Sequence, residues 1–180
     1  MSHAVASAQK GAPVSLDKFN AADLEAARAR GAVWAAIPAW VEALVAARPY
    51  DSVDALVSYA DELAGAWTST DLDAALAHHP RIGQRPAGAD QAAQASRREQ
   101  ASMATASADL TTAMARANAA YEERFGRVFL IRAAGRTPEE MLAEARRRLD
   151  NDARTETTET LAQLRQIALL RLRTDLEEIG

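Results

Sequence analysis

Cysteine is absent from this chain. That excludes disulfides, thiolate nucleophiles, iron–sulfur clusters and cysteine-bound zinc. Lysine is scarce: only Lys10 and Lys18 occur, both near the N-terminus. A Schiff-base or pyridoxal phosphate enzyme would need a reactive lysine that the rest of the chain does not offer. Three histidines, one of them His3 near the terminus, are poor material for a His-rich metal site. With 8 Gly and 6 Pro the chain lacks the turn residues of a sandwich or barrel. No apolar run approaches the ~20 residues that span a bilayer. Charge of one sign does not dominate either. The net charge is −4, and arginines alternate with carboxylates, so no nucleic-acid surface is expected.

Alanine is what the chain has in abundance, 44 of 180 residues. It is the best helix former and a poor strand former, so an all-α fold is expected. The length suits one compact domain. Residues 1–18 read as a flexible lead-in and 19–180 as a single domain of about eight helices. The N-terminal segment lacks the apolar stretch of a secretion signal, and the C-terminus is not a peroxisomal address. A cytoplasmic protein is therefore expected, without membrane or nucleic-acid partners.

Local signals punctuate the helices. Asn20 can cap a short helix that Gly31 would end, with Asp23 favouring its dipole. Pro38 suits a first helical turn, and Pro49 stops that helix. Asp51 or Ser52 caps the next, and Thr70 another, which should stop at His78-His79 because Pro80 disfavours helix before it. Residues 81–88 read as a loop. Residues 89–125 read as helical throughout, with a break expected near 102–107. Val128-Phe129-Leu130-Ile131 is the one strand-like patch, with no second strand to pair. Thr137-Pro138-Glu139-Glu140 is a well-formed helix start, and a last helix should run over 155–178.

Three places offer chemistry, and each has two readings. His79, at a helix C-terminus, is favoured as imidazolium and suits a general acid, or it simply caps the helix. His78 points ~100° away on a helix, which weakens a two-histidine metal site. Ser96, Glu99 and Gln100 share a helix face. They offer a hydroxyl, a carboxylate and an amide to a small polar ligand, or form a solvated face beside Arg97 and Arg98. Arg171 lies in the apolar run Ile167-Ala168-Leu169-Leu170-Arg171-Leu172. It either binds an anionic partner or ligand, or snorkels at a helix edge. These residues alone do not name a reaction.

An ordered set of motifs does. Trp40 and Arg48-Pro49-Tyr50 are followed by His79-Pro80-Arg81-Ile82-Gly83, then Ser96-Arg97-Arg98-Glu99-Gln100. Next come Asn118-Ala119-Ala120-Tyr121, Arg124-Phe125-Gly126 and Phe129-Leu130-Ile131. Arg136, Arg148-Leu149-Asp150-Asn151, Glu156 and Ile167-Ala168 with Arg171-Leu172 complete it. From about residue 15 onward the chain resembles the 2-oxo-4-hydroxy-4-carboxy-5-ureidoimidazoline (OHCU) decarboxylases of urate breakdown.

The resemblance implies an all-α decarboxylase without cofactor or metal, commonly a homodimer, that converts OHCU to (S)-allantoin and CO2. It implies His79 as the acid/base residue and Glu99 as its catalytic partner. Pro80, Ser96, Gln100 and Arg171 are expected to line the substrate site. The backbone of Phe129, Leu130, Ile131, Arg132 and Ala133 is expected to hydrogen-bond the ureide. Gln84 and Met103 depart from the pattern, where many relatives have Gly or Glu and a small residue respectively. The alternative is a helical interaction or regulatory module of the same fold that has lost the chemistry. His79, Glu99 and Arg171 occurring together argue against it. A fusion-type partnership with a transthyretin-like hydrolase is a third reading, and nothing in these residues encodes that second domain.

Overall fold

The computed structural model describes residues 16–77, 79–83 and 91–177. Nine α-helices occur among the described residues: α1 (Leu16–Ala21), α2 (Leu24–Trp34), α3 (Pro38–Ala46), α4 (Val53–Ala64), α5 (Ser69–Leu76), α6 (Gln91–Glu99), α7 (Ala108–Phe125), α8 (Pro138–Arg148) and α9 (Ala153–Glu177). A 3-10 turn at Ala101–Thr105 separates α6 from α7, which is the break expected in the long alanine-rich stretch. No strand forms among the described residues, and none of their helices is long and apolar enough to cross a membrane. The fold is all-α. The lead-in expected over 1–18 lies outside the described residues as far as residue 15, and Leu16–Lys18 open α1.

Side-chain caps set most helix starts. Ser52, Ser107 and Thr137 accept from backbone N–H groups three residues on, each worth ~1 kcal/mol. Pro38 and Pro138 sit in first turns as their sequences predict. Three local expectations change. Asp23, not Asn20, caps α2, taking the Ala26 N–H at 2.8 Å. Asn20 instead exchanges two hydrogen bonds with the Tyr50 backbone, tying α1 to the α3–α4 connection. Thr68, not Thr70, caps α5, because Asp71 three residues on completes a reciprocal capping box. Gly31 does not end α2 but lies inside it: a Cβ there would stand 2.9 Å from Val41 Cγ1, so glycine lets α2 and α3 approach closely.

The long α9 packs against α2, α4 and α5, and α7 pairs with α8. Two apolar clusters result. The first joins α1–α5 to α9 through Trp34, Trp40, Leu44, Leu56, Leu72, Leu164 and Leu172. The second joins α7 and α8 through Met114, Tyr121, Met141 and Ala145, and includes Ile82 and Met103. Residues 128–133 run between them as an extended wall. Val128 and Leu130 belong with the first cluster, whereas Phe129, Ile131 and Ala133 belong to the second. That alternation is the period-2 signature of extended chain. It explains a strand-like patch without a strand: each face is buried by helices rather than by a sheet partner.

Candidate active site

The loop carrying His79 leaves the C-terminal end of α5. The His79 Nδ1 lies 3.0 Å from the Ala75 carbonyl oxygen. A carbonyl only accepts, so Nδ1 carries the hydrogen and Nε2 is the nitrogen able to exchange a proton with a ligand. The capping role weighed from sequence is real, and it fixes the tautomer that an acid/base role would use. His78 lies outside the described residues.

Three side chains clamp the rest of this loop. Arg81 binds both carboxylate oxygens of Glu122 on α7. Asn118, also on α7, donates to the Ile82 carbonyl at 2.8 Å. Gln100, at the end of α6, accepts the Gly83 N–H at 3.0 Å. The pairing with Arg81 holds the Glu122 carboxyl below its ordinary range despite some opposing desolvation. Gly83 has φ +83°, where a side chain is strained, and a Cβ there would lie 3.3 Å from Met103 Cε. Met103, the departure from the family pattern, thus packs directly under the His79 loop. Gln84, the other departure, lies outside the described residues.

Arg171 is 8% exposed on α9. Its Nε and Nη2 donate to the two oxygens of Glu99 at 2.6 and 2.8 Å. Nη2 also donates to Ser96 Oγ at 3.2 Å, and Nη1 to the Val33 carbonyl at 3.2 Å. The snorkelling reading of Arg171 therefore fails: a fork-on-carboxylate pair holds it inside. The solvated-face reading of α6 fails with it, because Ser96 is buried and Glu99 faces α9. The structure thus brings Ser96, Glu99 and Arg171 into one hydrogen-bonded group, and Gln100 links that group's helix to the His79 loop. Pro80 is half-buried in the loop.

Residues 129–133 adjoin this loop through the second cluster, where Phe129, Ile131 and Ala133 pack with Ile82 and Met103. Three of their backbone groups are engaged within the protein, among them the Ala133 carbonyl, which accepts the Arg136 N–H at 3.0 Å. The Leu130 carbonyl accepts from Arg148 Nη1 at 2.7 Å. The Arg132 N–H donates to Gln163 Oε1 at 2.9 Å. Arg148 also forms a buried ion pair with Glu156, and its guanidinium lies 4.9 Å from the centre of the Phe129 ring. Tyr121, Thr160 and Asn151 complete the Glu156 shell. Burial pushes the Tyr121 hydroxyl up to about 12, aided by its bond to Glu156. Burial alone would raise Glu156, but Arg148, Tyr121 and Asn151 outweigh it and hold the carboxyl below its ordinary range.

Sequence reasoning assigned no role to Asn118, Glu122 or Gln163. Asn118 left a readable trace, since asparagine is a weak helix former and here sits on a buried face of α7. Glu122 and Gln163 left none, because both look like ordinary polar positions on a helix.

Comparisons with known proteins bear on the family and the fold. Residues 20–173 match the family model described as OHCU decarboxylase. The "Uric acid degradation bifunctional protein TTL" of Arabidopsis thaliana is 30% identical over 128 residues, 69% of this chain and 39% of that protein. The chain thus spans well under half the length of that relative. A crystal structure of OHCU decarboxylase in the presence of (S)-allantoin superposes with TM-score 0.68 at 26% identity, covering 79% of this chain and 93% of that one. A structure of (S)-allantoin synthase shares the fold, with TM-score 0.66 at 17% identity over 91% of this chain and 55% of that one. With nearly the whole helical domain matched, the chain belongs to the OHCU decarboxylase family.

Proposed function

We propose that this protein decarboxylates OHCU to (S)-allantoin and CO2 in urate breakdown, using no cofactor or metal, as a cytoplasmic homodimer. The observation that carries the reading is the buried Arg171–Glu99–Ser96 group, joined through Gln100 to the His79 loop. It provides a cation, a carboxylate and a hydroxyl, and Gln100 ties its helix to the loop that carries an imidazole of fixed tautomer.

Losing CO2 leaves an electron pair that needs a sink. Many decarboxylases supply an imine or a metal. The OHCU ring carries its own C=N and amide groups, so the electrons of the breaking C–C bond can flow into the ring. The protein then has to hold the ring, favour departure of the carboxylate and deliver one proton to one face. His79 Nε2 is the proton donor and Glu99 its catalytic partner. Ser96, Gln100, Pro80 and Arg171 fix the ring, and the backbone of 129–133 hydrogen-bonds the ureide. A positioned acid of this kind is worth roughly 10²–10⁴-fold in rate.

The test is stereochemical. In water the planar species left by CO2 loss takes its proton on either face and gives racemic allantoin. Freshly made OHCU is followed by absorbance and circular dichroism together. Faster loss of OHCU with a single S product is expected. Acceleration with racemic product would leave the site without a substrate orientation and reject the reading.

A further inference from the structure

The extended segment 128–133 is held by its backbone edge. In extended chain each residue's N–H and C=O point to the same edge, and successive residues point to opposite edges. The Leu130 carbonyl and the Arg132 N–H, two residues apart, therefore share one edge. Arg148 and Gln163 occupy that edge at 2.7 and 2.9 Å. The N–H and C=O of Ile131 and the N–H of Ala133 belong to the other edge.

Arg148 is 1% exposed and locked in the Glu156 shell, so its grip on Leu130 is inseparable from the core. Gln163 differs. It is half-buried on α9, two turns before Arg171, and its Oε1 accepts the Arg132 N–H. This oxygen adds a second hold on the edge that Arg148 grips at Leu130, and it fixes the backbone locally at Arg132. A segment released at Arg132 keeps its buried side chains, which share the second cluster with Ile82 of the His79 loop, but loses the bond that fixes the backbone between Ile131 and Ala133.

We infer that Gln163 is a positioning residue for the substrate: by taking the Arg132 N–H it presents the Ile131 and Ala133 backbone groups to the ureide. The inference rests on the decarboxylase reading above, and wild-type turnover of OHCU to S product is its control. Failure of that control rejects the decarboxylase reading itself, before any variant is compared.

The variants are Gln163→Met, which keeps length and removes the acceptor, and Gln163→Glu, which keeps an acceptor for the Arg132 N–H. Losing one well-placed hydrogen bond should raise KM for OHCU by about fivefold in Gln163→Met while kcat stays within about twofold. Amide hydrogen exchange at Arg132 should speed up in the same variant, with the thermal midpoint unchanged. Gln163→Glu should restore both KM and slow exchange. An unchanged KM in Gln163→Met, a KM rise that Gln163→Glu does not reverse, or a variant that loses the fold would each overturn the assignment. The last outcome would make Gln163 a stability residue.

Discussion

Arg148 and Glu156 face each other across the α8–α9 junction, each side chain only 2% exposed. The same guanidinium holds the Leu130 carbonyl, so the core ion pair and the extended segment beside the site share one anchor. Removing one partner strands a buried charge, which costs about 3–5 kcal/mol. Glu156→Ala should lose that much in urea denaturation. The double variant Arg148→Met/Glu156→Leu should recover most of the stability, since apolar replacement of a buried pair is often neutral. Its turnover should stay low, because Leu130 loses its donor. A double variant with wild-type activity would show that the segment needs no such tether.

Acid should expose the same pair. The folded protein holds Glu156 below its ordinary value of 4.5. A depressed carboxyl contributes stability that is complete above the unfolded-state value and lost as pH falls through the folded-state one. Unfolding free energy should therefore be flat above about pH 5 and fall below about 4.5. Glu156→Gln should start less stable at neutral pH and fall less steeply in acid. Parallel acid limbs in the two proteins would assign the loss to other carboxylates.

His79→Asn should keep the helical circular dichroism of the wild type and lose roughly 10²–10⁴-fold in kcat, because Asn hydrogen-bonds but does not titrate near neutrality. The Asn amide can still donate to the Ala75 carbonyl, so the loop should hold. Near-normal kcat would remove His79 from the mechanism.

Arg171→Lys keeps the charge and loses the fork. Glu99 receives two parallel bonds from Arg171, and Ser96 a third from the same guanidinium. A single ammonium cannot reproduce that planar set. Roughly tenfold loss in kcat/KM is expected, since bonds to charged groups are the strong ones. Unchanged kinetics would show that charge alone suffices.

Glu99→Gln should slow turnover while the remaining product stays largely S, because Ser96, Gln100 and Arg171 still hold the ring. Racemic product from this variant would move the orienting role to Glu99 itself.

Helical class and many boundaries were legible in the sequence because they are decided within one turn of chain. Thr137 finds Glu140 three residues on, Pro38 and Pro138 fit first turns, and alanine content disfavours strands. The same locality explains the misreadings. Gly31 has the look of a helix end, but Val41 on the next helix leaves room for no Cβ. Asn20 has the look of a cap, but Tyr50, thirty residues away, takes its amide. The motifs that carry the family resemblance lie along the sequence, so the family was legible too.

What tertiary structure alone decided is the state of each polar group. Arg171 in an apolar run is equally a snorkelling residue and a buried ligand. Glu99, 72 positions earlier, settles it by occupying both arms of the fork. The strand-like residues 128–133 have no partner strand, and only the folded chain brings Arg148 and Gln163 to one backbone edge. The physical reason is common to these cases. Propensity and capping act over three or four residues, whereas desolvation forces a buried charge or amide to find whatever partner folding brings to it. The sequence names the groups that must be satisfied, and only the packing of α6, α8 and α9 chooses what satisfies them.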